Sequence, residues 1–138
     1  MQIVTQLNVI MPNAPGNLAN VSDRLRAAGV NIGAVSCTEG KPTTILHLIV
    51  DDVDSAKLTL QPIAKISTSD ALAFKMKNKP GSIAAIGRAC AGAQINIRNI
   101  YATTCGKEAM VYVVVEDSEE AASLLQNWEK TAGKLFAS

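Results

Sequence analysis

The feature that most constrains this chain is internal duplication, because a sequence that repeats must build the same unit twice. Shifting the chain by the interval from Asn13 to Asn78 lays its second half on its first without a gap for about fifty residues. Asn13, Pro15, Gly16 and Ala19 fall on Asn78, Pro80, Gly81 and Ala84, and Ala28, Asn31 and Ile32 fall on Ala93, Asn96 and Ile97. Further along, Thr38, Val50, Asp52, Ala56 and Leu60 meet Thr103, Val115, Asp117, Ala121 and Leu125. The expected organisation is two related domains, 1–69 and 70–138, meeting near Asp70.

Each copy predicts the same elements. Leu7, Val9 and Met11 alternate with polar neighbours, the period of a strand with one buried face, and Leu72, Phe74 and Met76 repeat the pattern. A turn at Pro15-Gly16 leads to Leu18, Val21, Leu25 and Ala28 at helical spacing, matched by Ile83, Ile86, Cys90 and Ala93. Gly29 suits the end of the first helix, whereas Gly92 lies earlier in register. A strand from Asn31 to Thr38, a hairpin near Gly40 and an apolar run from Thr44 to Val50 follow, with Met110 to Val115 as the twin of that run. Asp52 or Ser118 caps a second helix. The last strand is expected at Ile63 to Thr68 in the first copy and, weakly, at Gly133 to Ser138 in the second. The fold class is therefore α+β: two ferredoxin-like βαββαβ units, antiparallel sheets with helices on one face.

Composition narrows the functions. The 138 residues are 48% hydrophobic and 18% charged, ample for packed cores, and the formal net charge is +1. No broad basic field exists to attract nucleic acid or an anionic membrane. The N-terminus has no basic segment followed by an apolar stretch, so a cytoplasmic location is expected. Cys37, Cys90 and Cys105 form neither a C-x-x-C pair nor zinc spacing, and are read as reduced thiols with no metal. An RNA-binding sheet of this topology needs aromatic residues on its central strands. Here those strands are aliphatic apart from His47 and Tyr112.

Candidate chemistry lies in the two loops that read Asn-x-Pro-Gly before a helix. Proline fixes one dihedral angle and glycine allows close backbone approach, so the free N–H groups of the helix can face a carboxylate. The asparagine adds an acceptor and two donors. The same residues also satisfy plain turn chemistry.

Both halves resemble ACT domains, the small-molecule-sensing modules attached to enzymes of amino-acid metabolism. The resemblance rests on Asn13-Ala14-Pro15-Gly16-Asn17-Leu18 and Asn78-Lys79-Pro80-Gly81-Ser82-Ile83, each followed after the helix by Asn31-Ile32 or Asn96-Ile97. It implies that two units pack side by side and that an amino acid binds between the first loop of one unit and the start of strand two of its neighbour. The implied ligand-binding residues are Asn13, Ala14, Gly16, Asn17 and Leu18 with Asn96 and Ile97, and reciprocally Asn78, Lys79, Gly81, Ser82 and Ile83 with Asn31 and Ile32. The resemblance further implies a stand-alone, non-enzymatic regulator, a homodimer without cofactor, acting on a partner enzyme. An assembly subunit that has lost its ligand is the alternative.

Other residues invite less. His47 is read as a half-buried sheet residue, since Tyr112 takes its place in the second copy. Lys75, Lys77 and Lys79 share one strand face and its following loop, and are read as solvated. Ala85 and Ala91 replace Asn20 and Arg26 on what is expected to be the outward side of a helix, a replacement that suits packing against another unit or subunit.

Overall fold

The computed structural model describes residues 1–138 except the side chain of Ala132. The elements are β1 (Gln2–Pro12), α1 (Asn17–Ala27), β2 (Ile32–Glu39), β3 (Thr43–Val50), α2 (Val53–Leu60), β4 (Lys65–Lys77), α3 (Ser82–Gly92), β5 (Ile97–Cys105), β6 (Glu108–Val115) and α4 (Ser118–Lys130), with a closing 3-10 turn at Ala132–Leu135. They form two compact units, an N-terminal one of Thr5–Ser69 and a C-terminal one of Met1–Val4 with Asp70–Ser138.

In the N-terminal unit β1 pairs antiparallel with β3, Leu7 opposite Leu48 and Pro12 opposite Thr43, and β3 pairs with β2, Glu39 opposite Thr44. Alternation sends Leu7, Val9, Met11, Leu46 and Leu48 to one face, where they meet Val21 and Leu25 of α1 and Ala56 and Leu60 of α2. Each fully buried leucine there contributes roughly 1.5–3 kcal/mol. The C-terminal unit repeats the plan: β4 pairs with β6 and β6 with β5, over a core of Leu72, Phe74, Met76, Ile86, Val111, Val113 and Leu125. Both units carry a bulge at the start of strand two, between Ile32 and Ala34 and between Ile97 and Asn99. The expected α+β arrangement of antiparallel strands and helices is thus observed.

The structure departs from the sequence reading at the cap of α4, which is Asp117 and not Ser118, and in three further places. The strand expected at Gly133 to Ser138 is a 3-10 turn followed by one antiparallel bridge, Met76 to Ala137. The residues grouped with that unit instead include Met1–Val4, and the Met1 ammonium meets Glu129 at 2.9 Å. Secondly, the strand expected to end at Thr68 does not stop there: β4 runs on to Lys77, through the first strand of the second copy. Thirdly, Ala85, expected on the outward side of its helix, is 7% exposed and buried, while Ala91 is exposed.

Helix ends repeat in backbone even where sequence does not. Gly29 takes the left-handed conformation after α1 (φ 73°), and the residue in its register position after α3 is Gln94, with φ 58°. A side chain there costs about 1 kcal/mol that glycine avoids. Gln94→Gly is expected to raise the stability measured by urea denaturation by up to about 1 kcal/mol, and a clear loss would contradict this account of the helix end.

Candidate functional site

Two of the four helices start differently from the others. Asp52 caps α2 by accepting from the Ser55 amide, and Asp117 caps α4 by accepting from the Glu120 amide. By contrast α1 begins at Gly16 (φ 87°) and α3 at Gly81 (φ 95°), with no side chain capping either and no acidic residue in either first turn. The positive ends of these two helix dipoles are left for something else to neutralise. Proline and glycine together set this geometry, because the left-handed glycine turns the chain sharply from strand into helix.

At the first loop, Asn13, Ala14, Gly16, Asn17 and Leu18 line a pocket with Cys37, Glu39, Thr44 and Leu46, its volume about 240 Å³. Drug-sized ligands occupy clefts of about 300–1,000 Å³, so this one suits a smaller molecule. The polar side chains of its lining are Asn13, Asn17, Glu39 and Thr44, beside the uncapped start of α1 at Gly16. Glu39 and Thr44 went unnoticed in the sequence because only the β2–β3 hairpin brings them to the loop.

The two asparagines that drew most attention are occupied. Asn13 donates through Nδ2 to Glu39 Oε1 at 2.9 Å and accepts from Thr44 Oγ1 at 3.0 Å, while its amide donates to the Pro42 carbonyl at 2.8 Å. Asn78 donates to the Gly106 carbonyl at 2.9 Å. Both therefore staple the loop to the neighbouring hairpin. The first helical residue closes each loop from the other side, Asn17 Nδ2 donating to the Pro12 carbonyl and Ser82 Oγ to that of Lys77, each at 2.6 Å.

The remaining nominated residues lie at the opposite end of each unit. Asn31 and Ile32 line a shallow hollow with Ser22, Arg26, Gly29 and Val30, and the Asn31 amide donates to Asp51. Asn96 lines one with Gln94, Glu116, Asp117 and Glu120, while Ile97 packs on the core. Along β2, Ile32 pairs with Val50 and Glu39 with Thr44, a separation of about 23 Å at roughly 3.3 Å per residue. One small ligand cannot touch both ends of the same unit.

Lys75 pairs with Glu108 at 3.3 Å on the surface, an interaction worth little. Cys37 and Cys105 are exposed, and burial pushes the Cys90 thiol up. Among the described residues no group of three or more His, Cys, Asp or Glu is placed to hold a metal ion, and no helix is long and apolar enough to cross a membrane.

Residues 71–133 match the family model of the ACT domain. In structure the chain is similar to a protein from Bacteroides thetaiotaomicron, with a TM-score of 0.86 and 22% identity over 92% of this chain and 89% of that one. It is also similar to the regulatory subunit of aspartate kinase from Thermus thermophilus in its ligand-free form (TM-score 0.67, 18% identity, 92% and 97% covered). A third likeness is to E. coli aspartokinase III in complex with lysine and aspartate (TM-score 0.58, 17% identity), where it covers 94% of this chain and 31% of that one. At these identities the likeness is one of fold. No curated protein matches the sequence.

His47 sits in β3 within hydrogen-bond distance of Gln6 Nε2 (3.0 Å) and Asn8 Oδ1 (2.9 Å), and burial holds its pKa below the usual value of 6.5. The folded chain therefore binds fewer protons than the unfolded one as pH falls below that value, and stability is lost through this window. The urea midpoint is expected to fall between pH 7 and pH 5, and to fall less in His47→Gln. An equal fall in both proteins would assign it to the carboxylates.

Proposed function

We propose, from the premise that residues 71–133 form an ACT domain, a regulatory module and not a catalytic one, that both units of this chain are of that kind. On this reading the protein binds an amino acid or related small metabolite and modulates a partner enzyme of amino-acid metabolism. The carrying observation is the uncapped start of α1 on a left-handed glycine, at a small pocket that Glu39 also lines. A carboxylate can accept from the first-turn amides and act as the missing cap, while an ammonium group can face Glu39. The likeness to aspartate kinase regulatory subunits supports an amino acid as ligand class and an enzyme of that metabolism as partner.

A second copy of the chain completes the site in this proposal, because loop and strand-two residues are too far apart within one unit. Two apolar pairs support such an assembly. Leu18 and Val35 in the N-terminal unit, and their register equivalents Ile83 and Ile100 in the C-terminal unit, are each 38–48% exposed beside β2 and β5. Within its own unit each of these strands pairs on one side, β2 with β3 and β5 with β6. An unpaired edge with exposed apolar residues favours strand-to-strand association. The homodimer then places Asn31 and Ile32, or Asn96 and Ile97, of one copy against a loop of the other.

Thermal-shift screening with the twenty amino acids is expected to give a positive shift for at least one. Asn13→Ala, which frees the loop from Glu39 and Thr44, should weaken that response at least several-fold. A flat response to every amino acid would overturn the ligand class. Separately, Val35→Glu with Ile100→Glu is expected to halve the mass seen by size-exclusion with light scattering, and an unchanged mass would remove the proposed interface.

A further inference from the structure

We infer that the C-terminal unit associates with the C-terminal unit of a second copy, β5 against β5 and antiparallel about a two-fold axis, so that the basic turn at Lys107 of each copy lies against the acidic hollow at Asn96 of the other. This names the pairing within the homodimer reading above and rests on that reading.

Antiparallel pairing of a strand with its own copy brings its first residues to its last, twice, so the two ends of the strand must be complementary. In the C-terminal unit those ends carry opposite charge. Around the end of β5 the exposed Lys77, Lys79 and Lys107 gather with the Lys75–Glu108 pair, because the Asn78 amide donates to the Lys107 carbonyl at 2.8 Å and the Asn78 side chain donates to that of Gly106 at 2.9 Å. At the start of β5, Gln94 and Asn96 line a hollow of about 370 Å³ with Glu116, Asp117 and Glu120. Arg98 offsets part of this charge from 3.4 Å away at Glu116, and the exposed Glu119 adds to it. Between the two ends stand Ile100, 38% exposed, and Ile83 of α3, 47% exposed. An apolar centre with charged flanks is the pattern of an interface between subunits.

The edge strand of the N-terminal unit has no such polarity. The start of β2 carries both Arg26, which lines the hollow there, and Asp51, which accepts from the Asn31 amide, while its end carries Glu39 and Lys41 on either side of Gly40. Pairing β5 with β2 of another copy therefore sets each charged end of β5 against a mixed one. Pairing β5 with β5 sets lysine against carboxylate at both ends, and charge arranged in this way selects the partner more than it adds affinity. The same pairing supplies what the second loop lacks. Thr104 stands in the register position of Glu39, so an ammonium group held at the second loop finds its carboxylates on the other copy, at Glu116 and Glu120.

The test measures the dimer dissociation constant by sedimentation equilibrium at low salt for the wild-type chain, for Lys107→Glu, for Glu120→Lys, and for an equimolar mixture of the two variants. Both residues are exposed, so neither substitution disturbs a core. Each variant alone is expected to dimerise at least about threefold more weakly than the wild type, because it sets like charges together at both ends of the strand pair. The mixture is expected to regain the wild-type affinity, since one end of the mixed dimer then carries the exchanged pair and the other end the original one. Variants that dimerise like the wild type, or a mixture no tighter than its components, would overturn the self-pairing while leaving a homodimer formed through another surface. A wild-type chain that stays monomeric would reject the homodimer reading and this pairing with it.

Discussion

The structure depends on how a strand hands over to a helix at Gly16 and Gly81. Each glycine adopts a left-handed conformation that an L side chain reaches only at a cost of about 1–2 kcal/mol, and each starts a helix that no side chain caps. A cap is worth about 1 kcal/mol, and the same chain places one on α2 and on α4. The contrast separates helices whose first turn is capped by an aspartate from helices whose first turn is not. Asn13 and Asn78 hold that geometry by tying each loop to its neighbouring hairpin.

Duplication supplied two such loops, and divergence around them made them unlike. The Glu39 and Thr44 side chains that grip Asn13 are replaced in register by Thr104 and Ala109. On the other face of the sheet, Gln6, Asn8 and His47 form a hydrogen-bonded group joined by Ser67 and Ser69. Their counterparts are the buried Ala71 and Ala73 and the half-buried Tyr112, which stacks on Tyr101 at 5.4 Å. Desolvation pushes the Tyr101 hydroxyl well above its ordinary range. One backbone thus carries a polar sheet face in the first copy and an aromatic one in the second.

Most of the fold was legible because it is local or periodic. Leu7, Val9 and Met11 announce a strand, Val21 and Leu25 a helix face, and the shifted sequence repeats both. What could not be read depends on partners distant in sequence. Nothing in Met1–Val4 says that it groups with residues seventy positions on, since alternation sets which face a strand buries and not which edge it joins. Gln94 was silent because its left-handed backbone is imposed by the helix end it closes, without the glycine that would signal it. At the site, the loops were visible as Pro-Gly motifs, but Glu39 and Thr44 were not, because the β2–β3 hairpin brings them there.

The central claim is that the first-turn amides of α1 serve as the cap for a ligand carboxylate. Titration of the ¹⁵N-labelled chain with the amino acid that stabilises it most, followed by amide NMR, tests this directly. The signals of Asn17, Leu18 and Ala19 should move furthest and saturate together. Saturable binding that leaves those three amides in place would contradict it.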